Sequence, residues 1–551
     1  MSAAASESKT ERSASASPHP GLFAQLFEST PIAPLVQFRI ALGLILLWEA
    51  YRYIASGWSR TLFLDRFPET PALDRPFLFH YYGFEWVEPL PPALHLALFP
   101  ILAVLAVFVA CGMFYRLSTG LLFAGWAYVF LLDQSLYLNH LYLVTLIIGL
   151  ATLLPANRAL SLDVWMRPTL AATVVPRWTL TLLRCQVGIV YFFGGIAKLE
   201  GDWLSGVPMQ MMLLERADLI DQPAGEPAVA LFFAWSGLLL DLLAVPLLWW
   251  KRSRLVALLL IAGFHLTNHV LFQIGIFPWF MMAATLILWP PYPLSLLSFS
   301  RIYGALVGLG MLLTLVAGRA VPLWSWGVAV VAGLGLVFPP AEWKRLDPDP
   351  RPDPDEPPVD AVPPRVRPVV LALLGVYLGW QCLMPLRHFL YPGSPNWTEQ
   401  GHKWAWHMKL RIKYPDPQFT RFYVLDEDGA QIAEVDPFAP DGPLTFRQAR
   451  TMATRPDLIL QFAHHLRDEY AAKTGEPVTV RANIRVSLNG REPAHLIDPE
   501  ANLAAIEPRL WPPADWILPL TVPRWPLERV DVERFLAERP PVQDAVETDD
   551  L

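Results

Sequence analysis

Cysteine and charge are both scarce in this chain. Three cysteines in 551 residues, Cys111, Cys185 and Cys382, sit within or at the end of apolar segments, and none has a CxxC partner. That excludes a disulfide framework and gives no zinc-ligand spacing. Charged residues make up 17% of the chain against 54% hydrophobic, and the mean hydropathy of +0.34 is too high for an ordinary water-soluble protein. A basic excess is lacking as well. The formal net charge is -7 and the pI near 6.0, which removes the case for a nucleic-acid partner. The first thirty residues are Ser- and Ala-rich without the apolar core of a cleavable signal peptide. Neither a Rossmann nor a P-loop fingerprint occurs.

What the chain does have is long apolar runs. Windows able to cross about 30 Å of hydrocarbon as a helix lie at 35–51, 94–114, 118–133, 138–154, 179–197, 228–250, 255–272, 275–291, 302–318, 322–338 and 367–386. The predicted fold class is a membrane all-α polytopic bundle of about eleven transmembrane helices, followed by a soluble β-rich α+β extracytoplasmic domain. The Lys and Arg of short loops mark the inner side: Arg116, then Arg158, Arg167 and Arg177, then Lys251, Arg252 and Arg254, then Arg301. This orientation puts the N-terminus in the cytoplasm and, with an odd span count, everything after residue 387 outside. The expected order is a disordered cytoplasmic tail (1–30), a transmembrane domain (31–339), an acidic Pro-rich cytoplasmic linker (340–366), a last span (367–387) and the extracytoplasmic domain (388–551). In that domain Asp428-Gly429 and Asn489-Gly490 signal hairpin turns, and one helix is expected over 446–473.

Polar residues at membrane depth are costly, so each is a functional candidate. In YFFGGIAKLEGDW, residues 191–203, Gly194 and Gly195 allow close helix approach and Lys198 follows an apolar stretch. Burial would favour the neutral amine, which can act as a base. The alternative, stronger on composition alone, is a lysine that snorkels to the interface. Asn139-His140 opens the fourth span, either as a helix-start pair or as functional groups at the depth of Lys198. His265 and Asn268 share a helical face three residues apart. No metal is expected, because a closed site needs three or four ligands and no carboxylate accompanies these histidines. Trp397, Trp404 and Trp406 suit either a headgroup-level aromatic belt or the wall of a pocket under the outer domain.

The segments LNHLYL, YFFGGIAKLEGDW, FHLTNHVLFQIGIFPWFM, NWTEQGHKWAWHMKLR and HLIDPEANL, in this order, resemble the signature blocks of the vitamin K-dependent γ-glutamyl carboxylases and their HTTM membrane domain. The composition resembles that of a bacterial member, which implies the cell inner membrane. The resemblance implies an enzyme that oxygenates reduced vitamin K or another naphthohydroquinone to its epoxide. It uses the base so generated, with O2 and CO2, to carboxylate glutamates of a peptide or protein. It implies Lys198 as the residue that deprotonates the quinol, with Asn139 and His140 orienting the quinol oxygens. His265, Asn268, Phe277, Met281 and Met408 would bind the naphthoquinone, and His402, Trp404 and Trp406 the glutamate substrate. His407 and Lys409 stand where the family has Asp and Met, a departure that keeps open a quinol-oxidising enzyme without carboxylation. A third alternative is a non-catalytic transporter or scaffold, although no internal repeat is visible.

Overall fold

The computed structural model describes residues 21–64, 77–272, 274–288, 362–440, 442–508 and 514–538. Nine longer helices make up the apolar part: α1 (Ala33–Ala55), α2 (Pro92–Cys111), α3 (Tyr115–Leu132), α4 (Asn139–Leu153), α5 (Trp178–Ala197), α6 (Pro227–Trp249), α7 (Arg254–Phe272), α8 (Phe277–Leu288) and α9 (Arg367–Leu386). Seven of them, all except α4 and α8, are long and apolar enough to cross a membrane. With 15 residues, α4 reaches only about 22 Å at the rise of an α-helix. The expected spans at 302–318 and 322–338, and nearly all of the linker at 340–366, lie outside the described residues.

The order of the helices within the bundle follows from their burial. The apolar windows of α1 and α5 are each 72% buried, whereas that of α9 is 11% buried among the described residues. The inner helices therefore carry polar groups that need partners. Arg39 of α1, 1% exposed, donates to the carbonyls of Ala156, Ala159 and Leu160 at 2.9, 3.1 and 2.5 Å, just beyond the end of α4. The strands β1 (Ser29–Pro31) and β2 (Val174–Pro176) pair antiparallel and tie the chain entering α1 to the chain entering α5. Helix α5 packs on α6 at its glycines: a Cβ on Gly195 would stand 2.6 Å from Leu242 Cδ2 and 3.1 Å from the Leu242 amide nitrogen. Only glycine permits that approach.

After α9 the chain forms a domain of two antiparallel three-stranded sheets. One has the order β3 (Lys413–Pro415), β7 (Arg485–Leu488), β8 (Ala494–His495), and the other the order β5 (Gln431–Val435), β4 (Arg421–Leu425), β6 (Thr479–Asn483). The Asp428-Gly429 turn joins β4 to β5, with Gly429 at φ +82°. The helix expected over 446–473 is two, α10 (Phe446–Met452) and α11 (Pro456–Thr474). Pro456 makes the break, because the residue before a proline is disfavoured in helical geometry and Arg455 is extended at φ -129°, ψ 108°. Phe422, Val424, Phe462, Val480, Ile484 and Leu496 form the core between sheets and helices.

This domain is fastened to one end of the bundle. Asp202, just beyond α5, takes a bidentate pair from Arg491 at 2.6 and 2.7 Å and a third bond from Asn489 at 2.8 Å. Asn489 and Gly490, at φ +51° and +75°, form the tight turn that places both donors. At the end of α3, Asp133 accepts from Gln448 at 3.0 Å and Gln134 donates to Asp457 at 2.5 Å.

Candidate active site

The end of α5, the middle of α6, the second half of α7 and the start of α8 enclose a cavity of about 340 Å³, within the range of small-molecule sites. Its walls are mostly apolar, with Phe264, Phe277, Met281 and Met408 among them, and its polar groups are few: Lys198, Asp241, His265 and Asn268 stand out. Met408 reaches in from the C-terminal domain. Gly194 borders the cavity, where a Cβ would make ordinary contact with Asp241 Oδ2 at 3.4 Å and with Met408 Cε at 3.5 Å.

Lys198 is not the isolated amine that its sequence neighbours imply. Its Nζ donates to Asp241 Oδ2 at 2.7 Å and to the Gly194 carbonyl at 3.2 Å, and it lies 5.4 Å from the centre of the Trp203 ring. Both charged side chains are 7% exposed. Neither nearby acid contributes: Glu200 caps the turn Gly201–Leu204 through the Asp202 and Trp203 amides, and Asp202 is held by Arg491. The carboxylate that matters comes from Asp241 on α6. Its signal in the sequence is an aspartate alone in the run LLLDLLAV, where an intramembrane acid calls for a partner.

A hydrogen-bond chain fixes His265. Thr285 Oγ1 donates to the Met281 carbonyl at 2.7 Å, so it accepts from the Tyr191 hydroxyl at 2.8 Å, which in turn accepts from His265 Nε2 at 2.8 Å. This direction puts the imidazole hydrogen on Nε2. Nδ1 is left as an acceptor, buried and without a hydrogen-bond partner among the described residues.

Of the other candidate residues, Asn268, Phe277, Met281 and Met408 line this cavity, whereas Asn139, His140, His402, Trp404 and Trp406 do not. His140 lies behind Phe277, with ring centres 5.8 Å apart. Asn139 does not cap α4, whose N-cap position is Leu138. Its amide accepts from the Tyr137 hydroxyl and donates to the His407 carbonyl, both at 2.9 Å. Asn139 thus ties the start of α4 to the strip that carries Met408. The tryptophans of this strip are enclosed, not spread along a headgroup belt. Trp397 and Trp406 are each 1% exposed, Trp406 stacks on Tyr142 at 5.2 Å, and Trp404 packs edge-on to Tyr137 and Tyr142. Glu399, Trp404, Trp406 and Lys409 all hold positive φ, between 49° and 65°. Strain of that kind persists only where the surroundings enforce it.

The same strip buries a second group of charges that sequence reasoning missed. Glu399 pairs with Arg411 and, at 3.3 Å, with Lys413, while His402 Nδ1 lies 3.7 Å from its carboxylate. Lys413 also donates to the carbonyls of Trp397 and Thr454, both at 2.6 Å. Burial pushes the Lys413 ammonium down to about 7, against the pull of Glu399 and with the help of Arg411. Burial likewise lowers His407 to about 3, assisted by His388 and Arg411, and holds His402 well below its ordinary value. His407 stands between His388 and His402, 4.9 Å from each ring centre, and neither of its ring nitrogens has a hydrogen-bond partner among the described residues. Among those residues no set of three or more His, Cys, Asp or Glu side chains converges as a metal ion would need.

Fold and site together define a helical membrane protein whose soluble C-terminal domain closes over a largely apolar cavity containing a buried lysine–carboxylate pair. Residues 27–292 match the HTTM domain, and residues 366–522 match the lumenal domain of the vitamin K-dependent gamma-carboxylase. The chain belongs to the vitamin K-dependent γ-glutamyl carboxylase family, and the second match indicates a soluble domain on the non-cytosolic side. No solved structure matches it.

Proposed function

We propose that the protein carboxylates glutamate side chains of a peptide or protein, driven by oxygenation of vitamin K hydroquinone or another naphthohydroquinone to its epoxide, with O2 and CO2 consumed. The observation that carries this reading is the Lys198–Asp241 pair on the wall of a cavity otherwise built of aromatic and aliphatic side chains. A flat apolar ring fits such walls, and its hydroxyl meets a proton-accepting pair out of contact with bulk water. The Nδ1 acceptor of His265 and the amide of Asn268 are polar groups available to a second ring oxygen. Met408 carries the C-terminal domain into the cavity, so a quinol arriving from the bilayer and a peptide arriving from the aqueous side meet at this boundary. In this reading the N-terminus is cytoplasmic, the C-terminal domain is extracytoplasmic and the membrane is the cell's inner membrane.

The test is to incubate purified protein in nanodiscs with reduced naphthoquinone, O2, labelled bicarbonate and Glu-containing peptides, and to measure epoxide and labelled peptide separately. Both products are expected. Neither product would refute the reading. Epoxide without label would favour a quinol-epoxidising enzyme that does not carboxylate, which His407, Lys409 and the Glu399 carboxylate already seated on Arg411 and Lys413 also favour.

A further inference from the structure

Residues 201–226, between α5 and α6, are fastened to the C-terminal domain through Asp202 and supply Trp203 and Met209 to the cavity wall. A stretch from the far end of the chain lies across them. Arg524 donates to the Gly201 carbonyl at 2.9 Å, and Gln210 Nε2 donates to the Glu528 carbonyl at 2.5 Å. The Gly225 carbonyl accepts from both Gln210 and the Val530 amide, each at 3.1 Å. Only glycine admits that approach, because a Cβ on Gly225 would stand 2.2 Å from the Val530 carbonyl oxygen.

Apolar packing completes the attachment. Val532, fully buried, belongs to one apolar cluster with Trp203, Met209, Leu213, Ala217 and Ala224, and Leu527, Val530 and Phe535 pack against that cluster. Trp525 lies against the Asn489-Gly490 turn, where a Cβ on Gly490 would stand 2.2 Å from its ring. Among the described residues, none of 524–538 joins the core of the C-terminal domain, and all of them follow the end of the family match at 522. Their packing serves the cavity wall instead.

Resting on the quinol reading above, we infer that residues 524–535 are a strap that holds this wall shut against water, and that the shut wall couples oxygenation to carboxylation. Elsewhere the cavity meets lipid: Phe232, Leu259 and Leu260 line it and are exposed on the outside of the helices. A quinol can therefore enter from the bilayer, and a glutamate side chain can approach beside Met408 and Lys409 of the strip, while the strapped wall stays closed. Water admitted through an open wall would give a proton to the substrate carbanion. A C–H bond then forms in place of the C–C bond to CO2, and hydroxide is left. The quinol is still oxygenated, so epoxide accumulates without carboxylated product.

The test uses the full chain in nanodiscs, with Cys111, Cys185 and Cys382 replaced by alanine and Met281→Cys as a reporter. Met281 lines the cavity from α8 and lies outside the cluster that the strap joins. A charged, water-soluble thiol reagent reports water access, and neutral N-ethylmaleimide reports that the introduced thiol is reactive. The strapped chain is expected to react with the neutral reagent only. Ending the chain after Val522 should abolish that protection, as should Val532→Asn in the full chain if the shortened one fails to fold, whereas Val532→Ile should keep it. Without the reporter, the native chain should make epoxide and labelled peptide, and the two disrupting variants should lose labelled peptide more than epoxide. Equal labelling by the charged reagent with and without the strap, protection that survives its loss, or both products falling in equal proportion would each overturn the inference. If the native chain makes neither product, the quinol reading falls and the coupling with it, while the thiol labelling still decides whether the wall is strapped shut.

Discussion

Two buried clusters of charge lie on either side of the boundary between the helices and the C-terminal domain, and they are balanced differently. Lys198 and Asp241 form one cation against one anion. In the strip at 399–413, Glu399 faces both Arg411 and Lys413, with His402 beside it. Helices in hydrocarbon have no water to compensate a net charge, so the cluster among them is matched one to one. A domain in contact with water can sustain an excess of cations, and there burial, helped by Arg411 and opposed by Glu399, pushes the Lys413 ammonium down to about 7. One cluster balances its charges one to one, and the other is cation-rich.

The comparison breaks if the two clusters respond alike to losing a member. Asp241→Ala strands the Lys198 ammonium and should cost about 3–5 kcal/mol, measured by denaturant unfolding in detergent. Lys413→Met relieves cationic crowding while losing hydrogen bonds to Trp397 and Thr454, and should cost about 1–3 kcal/mol. A larger cost for Lys413→Met would reverse the account.

The pH dependence sharpens the same contrast. Between about 7 and the unfolded value of 10.5 the native Lys413 binds fewer protons than the unfolded chain, so stability rises with pH across that window. For His407, lowered to about 3 from 6.5, stability is lost as pH falls from 6.5 toward 3. Lys413→Met should flatten the first slope and His407→Phe the second, each read from thermal unfolding across pH. Unchanged slopes would mean that these groups do not titrate as their burial requires.

Asn139 and His140 are neighbours in sequence with different surroundings, and variants should separate them. Asn139→Ala removes its hydrogen bond to the His407 carbonyl in the strip and the one it accepts from Tyr137, and should cost about 1–3 kcal/mol, seen as faster proteolysis near residue 407. His140→Ala should instead lower epoxidation and carboxylation together with little change in stability. Loss of carboxylation alone would assign His140 to the peptide. The smallest effect, one of labelling only, concerns orientation: Ala430→Cys should react with an impermeant thiol reagent on intact cells and Asp355→Cys should not. The opposite result would invert the topology.

Much of this was legible in the sequence where the signal is local. Gly194 and Gly195 mark a close helix crossing, apolar windows mark the helices, and Asp428-Gly429 and Asn489-Gly490 mark turns, because each depends on residues within a few positions. Two kinds of feature were not legible. Asp241 lies 43 positions from Lys198, and only the rotation of α6 against α5 tells which face it presents. The strip at 397–413 reads equally as an interfacial tryptophan belt or as the wall of a pocket, because aromatic residues serve lipid and protein packing equally well. Its positive-φ residues, Trp404 and Trp406 among them, are not glycines and give no turn signal.

The central claim is that quinol chemistry occurs at the Lys198–Asp241 pair. Its most direct test is to compare epoxide and labelled peptide from Lys198→Ala with those from wild type in the same nanodiscs, after showing by equilibrium dialysis that the variant folds and still binds naphthoquinone. The account predicts that both products fall together, by the 10²- to 10⁴-fold or roughly so that acid–base catalysis contributes. Turnover like that of the wild type would contradict it and leave Lys198 as a structural ion-pair partner of Asp241.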